Sequence, residues 1–143
     1  MRHLFALHGR DYIGNTKILF KILDKFKGMN HTLLKDISSE VPYANSAIIL
    51  KLKNTIIGFV TKGDSAEELE GNLLEFEDTG CEIIVCPVPT RKKIDRCVEQ
   101  FCEEYKYTLI WINTSSMVHV KGKSTVNRKN TETLFQDIAS KIV

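Results

Sequence analysis

The sequence predicts an α/β fold, a three-layer sandwich in which a mainly parallel sheet with one β-hairpin is covered by helices on both faces. Three observations carry this. Short runs that are apolar throughout, HLFAL, CEIIVCPVP and YTLIWIN, read as strands buried on both sides, the pattern of parallel sheets. Segments with apolar residues at helical spacing lie between such runs. The two kinds alternate along the chain, as a parallel sheet with helical crossovers requires.

The elements follow in order. Residues 3–7 form the first strand and end at His8-Gly9. Ile18, Leu19, Ile22, Leu23 and Phe26 then recur on one helical face, which Gly28 closes as a C-terminal cap. From Met29 to Ser46 no period is clear and Pro42 intervenes, so a long connection is expected, with a short helical turn around Leu33 to Ile37. Ala47 to Lys53 and Thr55 to Lys62 are strand-like and are joined at Lys53-Asn54 as a hairpin. Ser65 and Glu68 make a capping box for a helix with Ala66, Leu69, Leu73 and Phe76 inward and an acidic, solvated outer face, ending near Gly80. CEIIVCPVP is the next strand. Ile94, Cys97, Val98, Phe101 and Tyr105 line a helix, YTLIWIN is the last strand, and a final helix starts at Asn130 or Thr131 with Leu134, Phe135, Ile138 and Ile142 inward. Trp111 and Tyr107 are expected in the core.

Composition bounds the function. The 143 residues, 43% hydrophobic and 27% charged, suit one domain over 1–143 with a single sizeable core. A net charge of +2 gives no argument for nucleic acid or a membrane surface. No apolar run approaches the roughly 18–20 residues of a spanning helix, and Met1-Arg2-His3 leads into only a short apolar segment, so a soluble, cytoplasmic chain is expected. Cys81, Cys86, Cys97 and Cys102 contain no CxxC pair. The five-residue offset within each pair puts the side chains on opposite faces of a strand and about 140° apart on a helix, so reduced cysteines are expected. The four histidines are scattered. Among them His8 precedes the first turn and is the one within reach of a ligand there.

That turn carries the chemistry. In HGRDYIGNTKIL, Gly9 and Gly14 are spaced as in GxxxxGK[ST], Thr16 holds the hydroxyl position, and Asn15 stands where the lysine belongs. Glycines there let backbone amides converge on one anion, and a following helix adds partial positive charge. In an open α/β sheet this first strand-to-helix turn is the usual phosphate site.

On GRDYIGNT, its place between a first strand and a first helix, and the alternation that follows, the chain resembles the P-loop NTPase superfamily. More narrowly it looks like small single-domain P-loop proteins of unknown role with a Gly-Asp after a hairpin strand and an Arg after a later strand. Gly63-Asp64 and Thr90-Arg91 stand at those positions. The resemblance implies a P-loop nucleotide-hydrolase-like fold and a cradle of Gly9, Arg10, Asp11, Tyr12, Ile13, Gly14, Asn15 and Thr16, with Arg91 at the outer phosphate. It further implies Mg²⁺ held by Thr16 and Asp64, with ATP or GTP. Asp64 also reads as a cap of the helix that follows, and Asp11 as the start of an Asx turn.

Asn15 marks a degenerate Walker A. A lysine on phosphate contributes roughly 1.5–3 kcal/mol as a charge-assisted hydrogen bond, about one to two decades in affinity. Its loss in the transition state is larger, because charge stabilisation dominates phosphoryl transfer. Binding of a nucleotide or another phosphorylated small molecule with weak or absent hydrolysis is therefore the first expectation. A working kinase or NTPase in which Arg10, Lys62, Arg91 or Lys92 supplies the cation is the second. The third is a non-enzymatic module that takes a protein partner through the acidic helix or the basic stretch Lys121 to Lys129. That stretch reads as a solvated loop, with a lid over a bound base or phosphate, or a small nucleic-acid contact, as its functional alternatives. Lys17, Lys21 and Lys25 form an exposed stripe, read as solubilising.

Overall fold

The computed structural model describes residues 2–8, 12–36, 46–62, 66–88, 91–113 and 123–142. Its elements are β1 (His3–His8), α1 (Tyr12–Lys27), β2 (Thr32–Asp36), β3 (Ser46–Leu52), β4 (Thr55–Lys62), α2 (Ala66–Thr79), β5 (Ile83–Val88), α3 (Lys92–Tyr105), β6 (Thr108–Asn113) and α4 (Lys123–Ala139). One six-stranded sheet runs in the order β2-β3-β4-β5-β1-β6. The β4–β5, β5–β1 and β1–β6 pairs are parallel, and β2–β3 and β3–β4 are antiparallel. The fold is α/β as expected, with a mixed sheet in place of a mainly parallel one. The β3–β4 hairpin was expected, and the difference arises at β2, which pairs antiparallel with the far side of β3.

Strand alternation sends side chains to two faces, and each face has its own core. On one, Leu4, Ala6, Ile84 and Cys86 meet Leu69, Leu73 and Phe76 of α2 and Ile94, Val98 and Phe101 of α3. On the other, Phe5, Leu7, Ile83 and Val85 meet Ile18, Leu19, Ile22, Leu23 and Phe26 of α1 and Leu134 and Ile138 of α4. The inward residues expected for α1 and α2 are the ones that pack, with Ala66 only partly buried. Gly58 lets α2 approach closely, since a Cβ there would stand 2.8 Å from the Phe76 ring.

β4 follows β5 only as far as Phe59↔Val85, whereas β1 follows it to His8↔Val88. The ladder lost is the one on the side of Pro87, which has no amide hydrogen to donate. α2 ends on Gly80 at φ 88°, with the Cys81 amide bonded back to the Phe76 carbonyl at 2.9 Å. α3 ends in the same way on Lys106 at φ 61°, with the Tyr107 amide on the Cys102 carbonyl at 2.9 Å.

Several boundaries differ from expectation. The segment read as a helical turn near Leu33 is strand β2, a short edge strand with a bulge between Leu33 and Lys35 and every residue exposed. No buried face exists there to write an alternating pattern. α1 begins at Tyr12, earlier than its apolar period starts in the sequence, and α4 begins at Lys123, inside the stretch expected to be a loop. Ile142 lies beyond α4 yet packs against its core. Cys81 precedes β5, so it shares one core cluster with Cys86 although strand alternation would have separated them. All four thiols are free, with Cys97 only partly buried. The Ser65 cap lies outside the described residues. Among the described residues no helix is long and apolar enough to cross a membrane.

Candidate functional site at the carboxyl end of the sheet

His8, Val88 and Asn113 lie side by side in the register of β5, β1 and β6, so the connections that follow them leave from one edge of the sheet. The helices after β1 and β5 then part: α1 packs on one face and α3 on the other. Neighbouring parallel strands whose connections diverge to opposite faces open a crevice at their carboxyl ends, and ligands of open α/β sheets bind in such crevices.

The helices α1 and α3 follow these two strand ends. The leading amides of α1, at Tyr12, Ile13 and Gly14, have no acceptor within the helix and carry its partial positive charge. The backbone expected to form a loop over residues 9–16 is helical from Tyr12 onward. Gly14 sits inside the first turn, where glycine costs about 1 kcal/mol relative to alanine. Gly9, Arg10, Asp11 and Asp64 lie outside the described residues, as do the side chains of Tyr12, Ile13, Asn15, Thr16 and Lys62.

Arg91 immediately precedes α3 in extended geometry, φ −136° and ψ 128°. Its carbonyl accepts from the amides of Ile94 and Asp95, at 3.1 and 3.0 Å, while its side chain makes no capping bond and is exposed beside Lys92. This basic pair stands one connection away from the end of β5.

Sequence reasoning missed the contact that lies between these parts. His8 Nε2 and Asp95 Oδ1 face each other at 3.5 Å, both shielded from solvent. That is longer than a good hydrogen bond and within ion-pair reach. Trp111 stands edge-on to the His8 ring, 5.2 Å between centroids at 73°. Trp111, expected in the core, is 39% exposed because β6 is an edge strand and α3 covers only part of it. Tyr107 is buried as expected, its hydroxyl donating to the Cys81 carbonyl at 2.5 Å. A carboxylate in the first turn of a helix after an apolar strand is a weak signal, and nothing local ties Asp95 to His8.

The other basic candidates lie elsewhere. Lys17 and Lys21 are exposed on the outer side of α1, whereas Lys25 is ion-paired with Glu132 of α4 and lies 5.5 Å from the Phe135 ring centre, so that end of the stripe joins two helices. The acidic face of α2 is likewise engaged in part, Glu67 with Lys93, Glu75 with Lys35 and Glu77 with Arg2. Residues 123–129 belong to α4, so the stretch read as a lid loop is helical there. Among the described residues no three metal-ligating side chains gather.

Comparison with known proteins adds no family to this picture. The chain matches no protein-family model, no curated protein and no solved structure.

Proposed function

We propose that the chain binds a phosphorylated small molecule, foremost a nucleoside triphosphate with Mg²⁺, at the carboxyl end of β1, and hydrolyses it weakly or not at all. One observation supports the reading: α1 and α3 leave the carboxyl ends of the neighbouring parallel strands β1 and β5 for opposite faces of the sheet, the arrangement beside which ligands of open α/β sheets bind, and Arg91 immediately precedes α3. In this reading residues 9–11 and the leading amides of α1 hold the phosphates. Asn15 offers a neutral donor where a lysine would add charge, Thr16 and Asp64 hold Mg²⁺, and Arg91 meets the outer phosphate. Missing charge at position 15 weakens the transition state more than the ground state, hence binding with little turnover.

Thermal unfolding with Mg-ATP, Mg-GTP and inorganic phosphate tests it. At 100-fold excess over Kd a ligand stabilises by roughly 2.7 kcal/mol, a rise of about 8 °C for a chain of this size. No shift with any of the three rejects the reading.

The His8–Asp95 contact favours a second reading, a small kinase or NTPase in which Arg10, Lys62 or Arg91 replaces the lysine. An imidazole oriented by a carboxylate beside a phosphate site can accept the proton of an attacking hydroxyl or water. Turnover abolished by both Thr16→Ala and His8→Gln would establish it.

A further inference from the structure

We infer that copies of this chain associate head to tail, the outer side of α1 of one copy seating in the groove between α2 and α3 of the next. This rests on surfaces away from the phosphate crevice and is independent of it.

The groove has a volume of about 640 Å³. Its floor is Leu74, Phe101 and Tyr105, and Leu74 is 40% exposed although it is a large apolar side chain. Glu70 and Glu104 stand on its rim with Arg96. α2 as a whole carries Glu67, Glu68, Glu70, Glu75, Glu77 and Asp78 and no basic residue. The opposite side of the sheet has the reverse character. α1 carries Lys17, Lys21, Lys25 and Lys27 against Asp24 alone. Lys17, Phe20, Lys21 and Asp24 are all exposed and fall at i, i+3, i+4 and i+7, which is one stripe of the helix, and Phe20 is 43% exposed between the two lysines.

A near-neutral chain thus presents on one face a groove with an apolar floor, lined by Glu67, Glu70 and Glu104 against Lys93 and Arg96, and on the other a stripe of Lys17 and Lys21 against Asp24 with an apolar knob. The order of charges matches as well as the sign. Near the start of α2 the two helices are joined by Cys97 Sγ, 3.9 Å from the Ala66 carbonyl, and by Lys93–Glu67 at 3.5 Å, so they run side by side in the same direction. Laid antiparallel to α3, α1 of a second copy brings Lys17 to Glu104, Phe20 onto Leu74 and Phe101, Lys21 to Glu70 and Asp24 to Arg96. The rise from Lys17 to Asp24 is about 10 Å and from Arg96 to Glu104 about 12 Å, so the pairs fall in register. This is a helix seated in a groove by an apolar anchor, with charges fixing direction.

Donor and acceptor surfaces differ, so the contact is heterologous and each added copy leaves one stripe and one groove open. Assembly therefore grows with concentration and falls with salt, which screens these exposed charges.

Sedimentation velocity over a wide concentration range, at low and high salt, tests this on the full chain with Lys21→Glu and Glu70→Lys, two exposed positions. Each variant alone should associate about tenfold or more weakly than the parent. Mixed together they should regain association approaching the parent's, because the groove of the Lys21→Glu chain takes the unaltered stripe of the Glu70→Lys chain, and at the other contact the two reversed charges meet with opposite sign. A parent that stays monomeric throughout overturns the inference, and so does a basic amphipathic peptide seating in the groove of a chain that never self-associates. Parent-like association of both variants overturns it too, since the contact would then lie elsewhere.

Discussion

Replacing Gly58 with alanine drives a methyl group into the ring that holds α2 on the sheet. The new Cβ would stand 2.8, 2.9 and 3.0 Å from Cδ1, Cγ and Cδ2 of Phe76, closer than carbon atoms approach without displacement. Phe76 has no room to yield: it is fully buried, in one core cluster with Ile49, Val60, Leu73 and Ile84. Overpacking of this kind costs about 1–3 kcal/mol, or a fall in Tm of roughly 3–10 °C for a chain of this length. Phe76→Leu alone leaves a void and costs about 1–2 kcal/mol, between removal of one methylene and full truncation. In Gly58→Ala/Phe76→Leu the methyl enters space the ring has vacated, so the two costs should fall short of additivity by about 1 kcal/mol or more. Equilibrium urea unfolding of the four proteins measures all three quantities. A Gly58→Ala chain as stable as the parent, or a double variant whose loss equals the sum, refutes the packing argument.

Other expectations can be checked together. Burial pushes the thiols of Cys81 and Cys102 up to about 12 and raises that of Cys86 as well, whereas unfolded thiols ionise near 9.0. The folded chain keeps protons that the unfolded chain releases, so stability present at neutral pH is lost as pH rises from about 9 toward 12, by up to about 1.4 kcal/mol per pH unit for each thiol. Urea unfolding in reducing buffer at stepped alkaline pH should show this fall, and a flat profile would refute it. Tyr107→Phe removes the hydroxyl bonded to the Cys81 carbonyl and should cost about 1–2 kcal/mol by the same assay, because a buried acceptor loses its donor. Asn15→Lys should tighten Mg-nucleotide binding by about one to two decades in calorimetric titration if phosphate sits at the start of α1.

The helices were legible where they bury a face. Ile18 to Phe26, Leu69 to Phe76 and Ile94 to Phe101 each write a helical period, because one side of each must match a sheet. Where burial is absent the signal disappears. β2 exposes every residue and reads as a connection, while α1 and α4 extend toward their N-termini beyond the apolar periods that mark them in the sequence. The alternation of strands and helices gave the fold class. It could not give the sheet's mixed character, because β2 pairs with β3 across a long connection whose sequence leaves that pairing unspecified. At the candidate site, the position of the first turn and of Arg91 was readable from spacing and order. The His8–Asp95–Trp111 contact was not, since it depends on how α3 lies over β1 and β6.

Calorimetric titration of the chain with Mg-ATP and Mg-GTP, repeated on Arg91→Ala, addresses the phosphate reading most directly. Saturable binding of at least one nucleotide, weakened about ten- to hundredfold when the arginine is removed, is the predicted result. Absence of heat with both nucleotides, or unchanged affinity in Arg91→Ala, would contradict a phosphate site between the first turns of α1 and α3.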